Sequence, residues 1–286
     1  MKKIRQNLIL ISILTLVFVF LNCSKKEESS NFEEEKSKTM KIVNEKLLID
    51  KDGLIYVKKD SVPFTGKGLN YTKDSLLISE REYKNGRLDG KMIFWYSKDQ
   101  KKFEIDWKQG KKHGKYLHWN KEGILVTEEN IEMGNYNGIN TNWYDDGTIK
   151  SRVVFRNGKK FGKAQIYYPN GNDQALDEFK DDLKHGQRIR WYKNGQVKEK
   201  GTFEDDIVNG EVEGWWDNGK NQYKGTYVHG KMEGAFLNWH KNGNIKAEEI
   251  YLNDKKHGRC VKYDKEGNII EEIIYNNGLE TKKIIG

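Results

Sequence analysis

The stretch Asp181–Gly201, DDLKHGQRIRWYKNGQVKEKG, sets an aromatic pair directly before an Asn-Gly step in lysine-rich, glycine-punctuated sequence. Twenty-four residues upstream, Asn157–Asp177 reads NGKKFGKAQIYYPNGNDQALD, with a glycine, an aromatic pair and an Asn-Gly at the same offsets. The stretch is one copy of a repeated unit. Stepping from Gly186 by that same interval in both directions gives Gly66, Gly90, Gly114, Gly138, Gly162, Gly186, Gly210, Gly234 and Gly258. Glycine is 28 of 286 residues, so chance does not produce that column. Five residues after each of these anchors stands a large ring: Tyr71, Trp95, Trp119, Trp143, Tyr167, Trp191, Trp215, Trp239 and Tyr263. Nine residues after the anchor comes another glycine, from Gly123 to Gly267, with Ser75 and Asp99 taking its place in the first two copies. Seven residues before the anchor the column is apolar again, as at Trp107, Phe179, Phe203 and Tyr251.

A fixed period of this size marks an array in which one supersecondary unit stacks on copies of itself. Each copy holds two apolar-containing segments of about six residues separated by turn chemistry, which reads as one β-hairpin per repeat. Asn-Gly and Asp-Gly between such segments are expected to close primed turns, because both residues tolerate positive φ. Helix is disfavoured because glycine recurs too often. The expected fold class is therefore all-β: an elongated, twisted antiparallel sheet of repeated hairpins. About eighteen strands spaced by roughly 4.8 Å would make it on the order of 85 Å long. The ring column and the second apolar column are expected to supply burial along one face. Which of Trp191 and Tyr192 shares a side with Val197 is left open, since a one-residue slip exchanges the faces.

The pattern of Tyr83-Lys84-Asn85-Gly86 followed by Gly90, and of Tyr227 to Gly234 followed by Trp239-His240-Lys241-Asn242-Gly243, resembles the MORN-repeat variant family. The resemblance covers about residues 47 to 283. Gly53-Leu54-Ile55-Tyr56 with Pro63-Phe64-Thr65-Gly66 resembles the hairpin that opens such arrays. The resemblance implies an extended hairpin sheet used for contact with proteins or membranes, and no catalytic residue. Many bacterial members carry an antitoxin-like label. Asp182, Asp206 and Asp254 depart from the family's first glycine, a change that turn chemistry accommodates.

Residues 1–22 form a separate segment. Lys2, Lys3 and Arg5 precede an apolar run from Leu8 to Leu21, too short for the roughly 20 residues of a spanning helix but suited to a secretory signal. It ends at Phe20-Leu21-Asn22-Cys23, which resembles a lipobox and marks Cys23 as the expected lipidation site. The expected organisation is a lipoprotein signal peptide at 1–22 and a disordered tether at 23–41. A capping hairpin at 42–65 and about nine repeats at 66–286 follow. The expected location is the cell envelope, by a lipid anchor in the membrane, with the outer membrane or periplasmic face favoured over the cytoplasm.

Charge is mixed: 51 basic and 43 acidic residues give a formal net charge of +8, as expected of solvated faces rather than a nucleic-acid surface. Two cysteines exclude a disulfide framework, and Cys260 has no recurring His and Asp beside it. His113, His185 and His257 precede anchors at three-repeat intervals. That places them roughly 29 Å apart, too far to share a metal. No phosphate-loop pattern is present. Carboxylate pairs such as Asp145-Asp146 and Asp181-Asp182 fall in different turns, where no shared cleft would pair them as acid and base.

The expected function is a non-enzymatic protein-interaction or scaffold module, with no cofactor, no metal and no nucleic-acid partner. An antitoxin-like partner that neutralises a toxin, or a structural protein binding lipid or envelope material, is the alternative. The candidate binding surface is the second member of the aromatic pair: Tyr96, Tyr144, Tyr192, Trp216 and His240.

Overall fold

The computed structural model describes residues 40–285; the expected signal segment, Cys23 and nearly all of the expected tether lie outside them. Within the described residues the chain is strand and turn, with one three-residue 3-10 segment, Glu45–Leu47. The main sheet has 23 strands. Three are two-residue pieces, Asn135–Tyr136, Ile207–Val208 and Lys255–Lys256, each separated from the following strand by one residue before an anchor glycine. Neighbours in sequence pair antiparallel from Gly66–Tyr71 to Leu279–Ile285, and no register joins those two ends, so the sheet is open among the described residues.

Each anchor glycine lies directly opposite a residue of the second apolar column. Gly186 faces Phe203, Gly66 faces Tyr83 and Gly258 faces Tyr275. Side chains alternate along a strand, so register assigns faces. Arg188 opposite Gly201 and Arg190 opposite Glu199 share the face of Phe203, while Ile189 opposite Lys200 lies on the other. Trp191 follows Ile189 by two residues and takes that second face, set opposite Val197. Two cation–π contacts agree: the Arg188 guanidinium lies 5.6 Å from the Phe203 ring centre, and Lys200 Nζ 5.4 Å from that of Trp215. The two ring columns therefore occupy opposite faces, not one face as the period alone suggested. The spacing in sequence from Gly186 to Phe203 does not reveal the extra residues inserted between the columns.

The insertion that exchanges the faces is one residue, at the register shift where Arg190 pairs with Glu199 and Trp191 with Val197; a second irregularity, of two residues, sits at the anchors. Phe179 pairs with Lys184 and Asp177 with Arg188, so two steps on one strand oppose four on the other. The bulge bends the strand and needs a left-handed residue. Gly186 has φ +115°, and a Cβ there would collide with Glu178 Oε2. That carboxylate accepts the Gln187 N–H at 2.9 Å, a donor released from the ladder by the bulge. Glu82 and Asp106 do the same for Lys91 and Lys115.

The two turns of each repeat differ. Asp181 and Asp182 have φ of 52° and 73°, and Asn157-Gly158 has 50° and 85°, the signature of a two-residue primed turn. At Lys193-Asn194-Gly195 only the glycine is left-handed, and Tyr192 N–H donates to Gln196 O across a three-residue loop. The primed turns thus close the end preceding each anchor, while Asn194-Gly195 and its equivalents form a type I turn with a bulge. Asp182, Asp206 and Asp254 take the place of glycine and add a bond: their carboxylates accept the N–H groups of Lys160, Lys184 and Met232 on the preceding repeat.

Residues 42–65 form more than a hairpin. Ile42–Asn44 runs parallel to Gly66–Tyr71, a pairing the antiparallel expectation lacked, and the connection between them carries the hairpin Leu48–Lys51 and Leu54–Val57 as a separate two-stranded sheet. A parallel neighbour needs such a long connection. Arg81 bonds Glu45 at 2.5 Å, and Ile55 N–H donates to Gly86 O, so this element covers the first edge and part of the Phe203 face there. Lys41 is already attached, its carbonyl accepting from Lys67 N–H.

Gly186→Ala is expected to cost about 1–3 kcal/mol through backbone strain and displacement of Glu178. Chemical denaturation followed by tryptophan fluorescence checks it.

Candidate interaction face

The residues proposed from sequence as a contact surface form an internal ladder. Tyr144 OH donates to Tyr167 O at 2.7 Å, Tyr192 OH to Trp215 O at 2.8 Å, and Trp216 Nε1 to Trp239 O at 3.3 Å. His240 Nε2 lies 3.0 Å from Tyr263 O. Each of these bonds ties the second ring of one repeat to the first ring of the next. Lysines cover several of these rings, Lys150 over Tyr144 and Lys198 over Tyr192. Tyr96 is the exposed exception, in the repeat whose turn closes on Lys98-Asp99 and lacks the usual glycine. Asparagines run a parallel ladder at the loop tips, Asn194 Nδ2 donating to Asp217 O and Asn218 Nδ2 to Lys241 O. The recurrence of Asn eight residues after successive anchors, Asn170, Asn194, Asn218 and Asn242, was the available signal.

In most repeats the residue before the anchor supports the next primed turn. His113 Nδ1 accepts from Met133 N–H and His257 Nδ1 from Asn277 N–H, as Asp89 and Asn209 do for Gln109 and His229. His185 instead faces Asp205 Oδ1 at 3.2 Å. Among the described residues no cluster of three metal-type side chains occurs. Cys260 is buried on the Phe203 face, paired across to Ile273.

Once register separates the faces, one differs from the other in kind. On the Trp191 face, charged residues recur and pair across strands: Lys67 with Glu80, Lys91 with Asp106, Lys115 with Glu128, Lys200 with Glu213, Arg259 with Glu272. Such pairs contribute little individually but keep the face solvated. On the Phe203 face, the position two residues after the anchor holds Gly68, Met92, Tyr116, Asn140, Ala164, Arg188, Val212, Phe236 and Cys260. Nine repeats carry nine different residue types at a place where the backbone is the same. Around these the face changes character along the sheet. Near the first edge Phe94 and Phe103 stack with centres 4.4 Å apart and Tyr116 lies beside Phe103. In the middle stand Asn140, Asn142 and Ser151, then Arg190, whose Nη2 lies 2.9 and 2.8 Å from the two Asp177 carboxylate oxygens, then Tyr223, Phe236 and Tyr251.

Burial pushes the Tyr223 hydroxyl up to about 12, with the Glu199 carboxylate adding to the shift. Tyr251 rises to about 12 for the same reasons, with Glu249 as its neighbour. Both phenols stay protonated and donate to those carboxylates at 3.4 and 3.1 Å.

Two repeat models match the chain. The MORN repeat variant matches residues 184–205, 232–253 and 256–277, and the MORN repeat matches residues 106–115, 154–173 and 223–235. The chain carries MORN repeats. MORN repeats are in general modules for contact with proteins and membranes. None of the curated proteins matches. Among solved structures, a chain of the complex described as "Crystal Structure of TcdB2-TccC3-Cdc42" is similar at 12% identity and a TM-score of 0.20; the match covers 72% of this MORN-repeat chain and 13% of that one.

Tyr192→Phe is expected to keep the ring and lose the bond to Trp215 O, at about 0.5–1.5 kcal/mol. Tyr144→Phe, two repeats away, adds to it independently in denaturation curves of the double variant. The raised phenols contribute stability that is whole below pH 10 and falls as the pH rises through 10 towards about 12, because the unfolded chain releases those protons first. Absorbance titration at alkaline pH should lose its latest step in Tyr223→Phe with Tyr251→Phe.

Proposed function

We propose that this chain is a non-enzymatic lipoprotein of the cell envelope whose MORN-repeat sheet acts as a protein-interaction scaffold through the Phe203 face. The single observation that carries the reading is the contrast between faces. Bulges, turns, ring columns and hydrogen-bond ladders recur in nearly every repeat and account for folding. Gly68 makes room for Leu48 and Glu45 of the covering segment, and from Met92 to Cys260 the residues two places after the anchors differ on a common backbone. A surface made of common backbone and individual side chains is what recognition of one particular partner needs, with aromatic anchors as the energetic centres. The location rests on the charged start, apolar run and Cys23 of the sequence, with residues up to about 39 as the tether.

The test is capture of the full-length protein from gently solubilised membranes after brief crosslinking, comparing Tyr116→Ser with His118→Ser against Lys91→Ala with Lys115→Ala on the other face. All variants are checked for unchanged melting. The first pair is expected to weaken capture of a stoichiometric protein roughly 5- to 30-fold, and the second pair to leave it unchanged. Equal capture by both pairs would remove the face assignment. Cys23→Ser is expected to abolish incorporation of a fatty-acid analogue and release the chain from the membrane fraction; retention in that fraction would refute the lipid anchor.

A further inference from the structure

Phe236 records the shape of a site that stands empty of side chain one repeat earlier. Its ring lies flat over Gly225, where a Cβ would collide with it. It is held edge-on between Tyr227 and Tyr251, both with ring centres 5.5 Å away and planes inclined by 85° and 75°. One repeat upstream the floor is Gly201 and the flanking rings are Phe203 and Tyr227, but the place of Phe236 is taken by Val212. The isopropyl group reaches only the edge of the floor, 3.1 Å from where a Gly201 Cβ would sit. The result is a cavity of about 340 Å³ lined by Arg188, Glu199, Gly201, Phe203, Val212 and Tyr227, among others.

The polar end of this cavity is also distinct. Arg188 stands where the next repeat has Val212, and Glu199 where it has Tyr223. The guanidinium gives one N–H to Glu199 at 2.9 Å, while its buried Nε has no hydrogen-bond partner. An unpaired buried donor is costly, and a small shift of the guanidinium would bring Nε within reach of an acceptor in the cavity. Because Arg188 and Glu199 neutralise each other, a carboxylate meets Glu199 and an ammonium meets Arg188; a neutral hydroxyl can accept from one and donate to the other. Edge-on aromatic walls favour a flat aromatic ring over a puckered one.

We infer that this socket binds the phenol side chain of a tyrosine presented by the partner protein. The inference rests on the interaction reading above and names its anchor. Tyrosine is among the residues that carry most of the energy of protein contacts.

The probe is p-cresol, added to the full chain and followed by saturation-transfer NMR, with toluene and methyl glucoside as comparisons. Binding of p-cresol is expected in the unaltered protein. Val212→Phe, which fills the socket from within as Phe236 does, should abolish it at an unchanged or higher melting temperature. Arg188→Met should weaken p-cresol roughly fivefold and leave toluene unaffected. Should Val212→Phe not fold, Arg188→Met and Val212→Leu decide the matter by the same comparison. No p-cresol signal, or one that persists in Val212→Phe, overturns the inference, and binding of methyl glucoside alone would assign the socket to a glycan. Partner capture that depends on Tyr116 and His118 but ignores Val212→Phe would remove the socket while leaving the interaction face standing.

Discussion

A single β-layer has no second layer to bury against, and every feature of this chain answers to that constraint. A lone hairpin is marginal in water. Here each hairpin finds its missing contacts on the next one: main-chain pairing, the ring-to-carbonyl bonds such as Tyr192 to Trp215 O, the asparagine bonds at the tips, and the side chains that support the next primed turn. None of these reaches beyond a neighbour. Stability is then close to a sum of nearest-neighbour terms, and the ends need special treatment. The first end receives it from residues 42–65, whose parallel strand and separate hairpin cover the edge of Gly66–Tyr71.

The same constraint explains what could be read from the sequence. The anchors, the ring columns and the all-β fold are periodic, and a period survives any error in local geometry. Register does not. A prediction of which residues share a face must count residues between columns, and the one-residue register shift between Arg190 and Trp191 changes that count without leaving a mark of its own, whereas the two extra residues at each anchor leave the face unchanged. Trp191 and Phe203 were therefore legible as repeated rings and illegible as members of opposite faces. The turns failed in a similar way. Asn194-Gly195 and Asn157-Gly158 are the same dipeptide, yet only the second is primed. The difference lies in loop length, which is set by the pairing of Tyr192 with Gln196 and not by the two residues themselves. The tyrosines chosen as contacts were read as exposed because ring and hydroxyl were considered apart from the next repeat, which is where the hydroxyl goes.

An array also supplies an internal comparison that a single domain lacks. Nine copies of one backbone let position be separated from residue. Where the position demands something, the copies agree, as at the anchors. Where they disagree, as from Met92 to Cys260, the shared backbone does not dictate the residue. The candidate face was legible in the sequence in this sense, but only after register placed the position where all nine copies differ on the face of Phe203.

Spacing then limits what any partner of that face can be. Equivalent positions recur every two strands, a step of roughly 9.6 Å when strands lie about 4.8 Å apart. An extended chain rises about 3.3 Å per residue, so three residues cover nearly the same distance. Side chains of a β-extended segment alternate in direction, so every third one turns away; a polyproline II segment, with three residues per turn and a rise of about 3.1 Å per residue, meets equivalent positions with every third side chain. A helix, rising only about 1.5 Å per residue, needs roughly six or seven residues for the same step. Because each step presents a different residue, sliding a partner by one repeat exchanges Arg188 for Val212 or Val212 for Phe236, and no two registers offer the same contacts. The uniform backbone that makes the array stable would allow slippage; the varied side chains on one face prevent it.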